Sequence, residues 1–214
     1  REFFIHNALY WIEEYHLDGL RLDAVHAIFD DPERHLVREL ARRVREGPGR
    51  DRHVHLVLEN DATAASLLRG PHSATAQWND DLHHSLHAAL TGEDSGYYAD
   101  YAPSPARHLA RALAEGFAYQ GEPSAYRGGA ARGEPSADLL LTSFVAFLQN
   151  HDQVGNRAFG ERISALAPPE AVRAAAAIYL LSPQIPLVFM GEEWASSSPF
   201  PFFCDFGGDL ARAV

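Results

Sequence analysis

Residues 18–26 read Asp18-Gly19-Leu20-Arg21-Leu22-Asp23-Ala24-Val25-His26, and this stretch decides the fold. Leu20 and Leu22 alternate with Arg21 and Asp23, the period of two expected of a strand whose faces meet different surroundings. A glycine opens the apolar run and an acid falls where the strand should end. In a barrel of parallel strands, polar groups at the C-terminal strand ends are where chemistry collects. Taken alone, the pattern is explained as well by an Asp23 that caps a helix and pairs with Arg21. It recurs, however, twice downstream. Residues 53–59 (HVHLVLE) are too continuously apolar for an exposed sheet and end in Glu59. Residues 143–148 form another buried strand, ending in Gln149-Asn150-His151-Asp152-Gln153.

Helical spacing fills the intervals. Residues 3–16 place Phe4, Ile5, Leu9, Trp11, Ile12 and Tyr15 on one stripe. Asp31 offers an N-cap, with Pro32 in the first turn, for a helix through Leu36, Val37, Leu40 and Val44 that Gly47-Pro48-Gly49 stops. A short element around 76–79 leads into a helix through Leu82, Leu86 and Leu90, ending near Gly92. The stretch 93–143 is longer than a usual loop; it holds an amphipathic helix at about 105–118 and a Gly/Arg/Pro-rich excursion at 126–135, expected over the mouth of a site. A helix at about 168–181 and a last strand at 185–190, ending in Gly191-Glu192-Glu193-Trp194, complete the series. Strand and helix alternate about five times, which means an α/β fold with a parallel sheet and crossover helices.

With 214 residues the chain suffices for one packed domain, whereas a whole (β/α)8 barrel typically needs about 250. The net charge of −11 argues against a nucleic-acid partner, since phosphates require a basic face. All 18 basic residues are arginine. Cys204 is the only cysteine, so an intrachain disulfide is impossible and a reducing, cytoplasmic setting is expected. No apolar run approaches a membrane span, and no signal peptide opens the chain. The first residue is not Met and lies within a helical pattern, so the protein is expected to begin further upstream.

Three acids, Asp23, Glu59 and Asp152, each close a different apolar strand. In a parallel sheet those ends share one edge. Two carboxylates flanking a bond, one ionised and one protonated, are what glycoside hydrolysis requires. A third can stabilise an oxocarbenium-like transition state or bind ring hydroxyls. Arg21 favours ionisation of a neighbouring carboxylate, which suits a nucleophile, and His151 suits a hydroxyl donor.

With DGLRLDAVH at 18–26, Glu59 at its strand end and NHD at 150–152, the sequence resembles the alpha-amylase superfamily of retaining glycoside hydrolases. The order and spacing are similar to that family's fourth, fifth and seventh barrel strands. The resemblance implies a partial (β/α)8 TIM barrel, about strands 4 to 8 with their helices, so that 1–214 is the C-terminal portion of one catalytic domain whose N-terminal barrel half lies upstream. It implies Asp23 as nucleophile, Glu59 as general acid/base and Asp152 as transition-state stabiliser, with Arg21, Asn150, His151 and Gln153 binding substrate beside them. Within the superfamily, AVHAI at 24–28, QWNDDLHHSLH at 77–87, GYYADY at 96–101 and FLQNHDQVGNRAFGERI at 147–163 are most similar to the maltooligosyltrehalose trehalohydrolases. That implies cleavage of the α-1,4 bond next to a terminal trehalose, without a cofactor, with His26, Trp78, Asn79, Asp80 and Asp81 lining the leaving-group subsites. The chain departs from the group's pattern at 61–65 and 138–141. A branching enzyme sharing the triad and a catalytically inert remnant are the other readings.

Other residues have two explanations each. His83, His84 and His87 have helical spacing, but no companion ligands are evident and no metal is expected. Trp78 and Trp194 serve equally as sugar platforms or as core. Glu192 and Glu193 fit a structural role in the last loop as well as a site contact.

Overall fold

The computed structural model describes residues 1–31, 35–202 and 205–213. In chain order the elements begin with α1 (Glu2–Glu14), β1 (Gly19–Leu22), α2 (Leu36–Glu46), β2 (His55–Leu58), β3 (Ala76–Trp78), α3 (Asp80–Thr91) and α4 (Pro105–Glu115). There follow β4 (Glu122–Pro123), β5 (Ala131–Arg132), β6 (Phe144–Phe147), α5 (His151–Gly155), α6 (Ile163–Leu166), α7 (Pro169–Leu181), β7 (Ile185–Leu187) and α8 (Leu210–Ala213). Strands β1-β2-β3-β6-β7 form one sheet in that order, every pair parallel, and β4 and β5 form a separate antiparallel hairpin. The sheet strands thus stand in their order along the chain, with no reversal.

The alternation read from residues 18–23 is the alternation of the two sheet faces. Leu20, Leu22, Leu56 and Leu58 pack against Ile5 and Ile12 of α1 and Val37, Leu40 and Val44 of α2. Further along the sheet, Ala146 and Leu148 meet Leu82 and Leu86 of α3, Ala112 of α4 and Ala175 and Tyr179 of α7. The opposite face carries its own cluster, Ala76, Trp78, Val145 and Phe147 with Val57 and Leu187, in which there is no helix residue. Helices supply the apolar cover of one face; on the other, only the polar rings of His83 and His151 reach Phe147 and Trp78 at the strand ends among the described ring contacts. Arg21 stands on this second face, in register with Val57.

Local chemistry fixes where the helices begin and end. The Asn79 side chain accepts from the Leu82 N–H at 3.3 Å, with Asp80 and Asp81 in the first turn of α3. Gly92, at φ 73°, ends the helix in the left-handed conformation. The helix expected to begin at Asp31 begins at Leu36 instead. The Asp30 carboxylate takes the Leu36 N–H at 2.9 Å and His35 Nδ1 takes that of Val37 at 3.3 Å. Pro32 and Cys204, on which two expectations rested, lie outside the described residues. The helix expected over 105–118 stops at Glu115, because Gly116, at φ 92°, turns the chain directly under the Phe144 ring, where a Cβ would collide.

Both outer strands are open. On the β1 side, Phe3, Phe4, Tyr10, Trp11 and Tyr15 of and after α1 are exposed, and a cavity of about 470 Å³ runs between α1, β1 and α2. On the β7 side, Leu180, Leu181, Ile185, Val188 and Met190 are exposed, beside a groove of about 880 Å³. Among the described residues, no helix is long and apolar enough to cross a membrane.

Candidate active site

The β1–β2 ladder sets the first pair of carboxylates. Gly19 is required at its start, since a Cβ there would lie 2.5 Å from the His55 carbonyl oxygen. Leu22 pairs with Leu58, and the ladder continues past both strands as Glu59 N–H donates to Leu22 O at 2.9 Å and Val25 N–H to Glu59 O at 3.0 Å. Asp23 and Glu59 are thus the next registered pair, on the second face. Arg21, two residues before Asp23 and on the same face, hydrogen-bonds the Asp23 carboxylate and lies 3.6 Å from Glu59 Oε2. Its guanidinium stands 4.2 Å from the centroid of the Trp78 ring. Glu59 also accepts the Ala24 N–H at 2.5 Å, through a backbone turn that holds Ala24 at φ 44°. A non-glycine residue there costs on the order of 1 kcal/mol, and the hydrogen bond to Glu59 is what the turn obtains. Asp23 is open to solvent, whereas Glu59 is mostly covered.

Trp78 joins these groups to the third acid. It also neighbours His151, ring centroids 6.0 Å apart at 64°, and His151 Nε2 lies 3.4 Å from Asp152 Oδ2. The buried Asn150 orients this segment: its Oδ1 accepts the N–H groups of Asp152 at 2.8 Å and Gln153 at 3.3 Å. The Gln153 Oε1 is buried without a hydrogen-bond partner among the described residues. His26 turns aside from the carboxylates, its Nδ1 accepting the Asp61 N–H at 3.2 Å.

Two residues expected to line subsites do not. Asn79 is fully buried; besides capping α3 it donates to Gly116 O at 2.7 Å and contacts Gln184 Oε1 at 3.1 Å. Asp81 is fully buried too, accepting from Ala118 N–H at 2.7 Å, Tyr119 N–H at 2.8 Å, the Tyr101 hydroxyl at 2.5 Å and Arg132 Nη1 at 2.6 Å. Both are structural; Asp80 is buried as well, but one step along the helix, a rotation of about 100°, turns it away from the donors that surround Asp81. Asp80 makes no hydrogen bond to the described residues. Burial pushes its carboxyl up to about 7, with Arg132 opposing and Glu59, Asp61 and Asp81 adding to the shift.

The histidines of α3 build the wall behind Asp80. His83 donates from Nδ1 to Leu148 O at 2.7 Å and faces the Tyr98 hydroxyl at 3.1 Å; burial lowers it to about 3, so it is neutral. His84 is held well below its usual range by burial and stacks on Tyr97 at 4.5 Å. His87 donates to Glu93 Oε2 at 2.8 Å. Among the described residues, no group of three His, Cys, Asp or Glu side chains is placed to hold a metal. The 126–135 excursion comprises most of the β4–β5 hairpin. It is tied to the loop after Glu59 by Arg127, which pairs with Asp61, and by Arg132, 3.8 Å from the same carboxylate. Tyr126 and Arg127 fall in the excursion expected over the mouth of a site and Tyr97 in the GYYADY run, whereas the Arg127–Asp61 pair has no signal in the sequence. Trp194 is exposed at the β7 edge, and Glu192 is bound by the Tyr179 hydroxyl at 2.7 Å and by Gln149 at 3.0 Å, a structural use.

No protein-family model matches the chain. It is 44% identical over 209 residues, 95% of its length, to a malto-oligosyltrehalose trehalohydrolase of Arthrobacter ramosus, and covers 36% of that protein. It is 41% identical over 210 residues to the protein of the same name from Saccharolobus solfataricus, covering 96% of this chain and 36% of the relative. Among solved structures, an alpha-amylase candidate from Salmonella typhimurium superposes over the whole chain with a TM-score of 0.93 and 51% identity, and 37% of it is covered. The chain is thus a relative, over nearly its whole length, of the malto-oligosyltrehalose trehalohydrolases and of the alpha-amylase family, and it spans a little over a third of the length of the proteins it matches.

Proposed function

We propose that the chain is the part of an alpha-amylase-type (β/α)8 barrel that holds strands 4 to 8, within one catalytic domain. Helices on one face, strands in sequential order and two open apolar edges support this reading. A doubly wound sheet would have helices on both faces and a switch in strand order. The upstream barrel half would cover the β1 edge.

The barrel would act as a cytoplasmic retaining glycosidase, cleaving the α-1,4 bond next to the terminal trehalose of a maltooligosyltrehalose. Asp23 attacks the anomeric carbon as Glu59 gives its proton to the departing glycosidic oxygen, and trehalose leaves. Water, deprotonated by Glu59, then attacks the glycosyl–Asp23 ester and frees the shortened glucan. Asp152 stabilises the oxocarbenium-like transition states, and His151 and Asn150 hold it in place. The observation that carries this reading is the registered Asp23–Glu59 pair bridged by Arg21. Both carboxylates meet nitrogens of the one Arg21 guanidinium, a proximity that suits the separation of about 5–5.5 Å of a retaining mechanism better than the about 6.5–9.5 Å of an inverting one.

The test is product chromatography of the full-length protein with maltotriosyl-trehalose, beside its Asp23→Asn variant. Trehalose is expected from the unmutated protein and not from the variant. Full activity in Asp23→Asn sinks the nucleophile assignment. New α-1,6 branches in place of trehalose would make the protein a branching enzyme, and no product from a folded protein would make it an inert relative.

A further inference from the structure

The Asp152 carboxylate has little of its own to hold it. It is more than a third exposed, and its ion-pair contact among the described residues is His151 at 3.4 Å. Its place is therefore set by the backbone of α5, and five residues are too few to hold a helix by themselves. The segment is anchored from outside. At its start, His83 Nδ1 donates to Leu148 O at 2.7 Å, Gln149 Oε1 accepts the Ile163 N–H at 2.7 Å, and Asn150 caps the helix. At its end, Asn156 N–H donates to Asp152 O at 2.9 Å and Arg157 N–H to Val154 O at 3.3 Å. Arg157 thus continues the turn that carries the acid.

The Arg157 guanidinium makes a two-pronged ion pair with Glu93, Nη2 to Oε1 at 2.9 Å and Nη1 to Oε2 at 3.0 Å. Glu161 stands 3.5 Å from its Nε. Glu93 is also fixed from its own side. His87 donates to its Oε2 at 2.8 Å, and Thr91 Oγ1, which donates to His87 O at 2.8 Å, accepts the Glu93 N–H at 3.1 Å. The His87 ring lies nearly flat on Tyr98, centroids 4.2 Å apart at 11°. These groups belong to the end of α3 and the turns after it, and α3 packs on β6 through Leu82, Leu86 and Ala146. A planar fork on a preset carboxylate fixes direction as well as distance. Among the described residues, neither Glu93 nor Arg157 makes a hydrogen bond or ion pair with Asp23, Glu59 or Asp152, so what they do to the site passes through the backbone.

We propose that Glu93 and Arg157 are positioning residues for Asp152, a brace from the end of α3 that fixes α5 and with it the carboxylate facing the developing oxocarbenium charge. The inference rests on the glycosidase reading above and adds two residues that do not touch the reacting atoms.

The experiment takes the full-length protein with Glu93→Ala, Arg157→Met and Asp152→Asn, and with Glu93→Ala and Asp152→Asn combined. It measures kcat and KM for maltotriosyl-trehalose, and by titration calorimetry the Kd of trehalose and of deoxynojirimycin, a glucose-shaped iminosugar whose ring cation imitates the developing charge. Displacing a catalytic group by about 1 Å can cost up to about 100-fold. Glu93→Ala and Arg157→Met are each expected to lower kcat about ten-fold or more, with KM within about three-fold. Deoxynojirimycin should bind about ten-fold more weakly while trehalose stays within about three-fold. In the Asp152→Asn background, adding Glu93→Ala should change deoxynojirimycin binding less than about three-fold. Partial unfolding lowers the stoichiometry of a titration and not the Kd, and Glu93 is a third exposed, so a loss of stability alone leaves these ratios unmoved. Unchanged kcat and Kd values overturn the brace. Equal weakening of both ligands overturns it too, as does a loss that persists in full in Asp152→Asn, and the trehalose-releasing reading survives each of these. An unmutated protein that does not cleave maltotriosyl-trehalose overturns both.

Discussion

Replacing Asp80 by Asn should stabilise the protein, and by an amount that depends on pH. Asp80 is 8% exposed and accepts no hydrogen bond from the described residues, so burial disfavours its charge and holds its carboxyl at about 7. In the unfolded chain an aspartate titrates near 3.9. The folded state therefore binds the proton more tightly. Its contribution is fully present below about pH 4, is lost progressively as pH rises to about 7, and is flat above. A difference of roughly three pKa units at about 1.4 kcal/mol each gives a loss on the order of 4 kcal/mol across that window. Asparagine has nothing to titrate. The stability of Asp80→Asn minus that of the unmutated protein should rise between pH 5 and pH 8, by up to about 3 kcal/mol, most of it before pH 7. Denaturation midpoints at pH 5, 6, 7 and 8, read on the transition that includes this sheet, measure it. Taking the difference cancels the buried histidines, whose lowered pKa values act with the opposite sign. A difference that stays constant with pH refutes the argument, because Asp80 would then be ionised in the native state throughout.

Two further outcomes follow from the ion pairs around the site. Arg132→Met leaves the fully buried Asp81 without the guanidinium now 2.6 Å away, and should cost about 3–5 kcal/mol in thermal or chemical denaturation. Adding Asp81→Asn should recover part of that cost, and strict additivity of the two would count against a coupled pair. Glu93 is held down to about 2, first by its hydrogen bonds from Arg157 and then by His87. A depressed carboxylate stabilises above its unfolded pKa and loses that contribution as pH falls. Glu93→Gln should therefore flatten the acid loss of stability between about pH 4.5 and 2, modestly because the side chain is a third exposed. An unaltered acid limb would show that Glu93 does not govern it.

The sheet was legible because its signal is local. Leu20 and Leu22 against Arg21 and Asp23 name two faces without reference to anything distant, and the continuous run 54–58 identifies a buried neighbour. Trp78, with Arg21 on its face and His151 at its edge, draws the strand-end residues together as the parallel order requires. What escaped depends on contacts remote in sequence. The first N–H of α2, that of Leu36, goes to Asp30, which is itself bound by Arg1 at 2.7 Å, and that long-range tie has no local signal. Asp80 and Asp81 are equivalent in the sequence, yet one accepts no hydrogen bond from the described residues and the other binds Arg132, fifty-one residues away. The β4–β5 hairpin is held in place by Asp100 and Asp61, and neither partner shares a pattern with it.

The β1–β2 ladder has a consequence for how such a protein can change. Positions 23 and 59 are set apart by the pitch of two hydrogen-bonded strands, not by the loops that follow them. Loops such as the β4–β5 hairpin can be lengthened, shortened or recoloured, and the range of sugars they admit can drift with them. Under the retaining mechanism proposed above, the backbone positions of nucleophile and acid are held by the ladder, so a change of loop alters which sugars enter before it alters the stereochemical course.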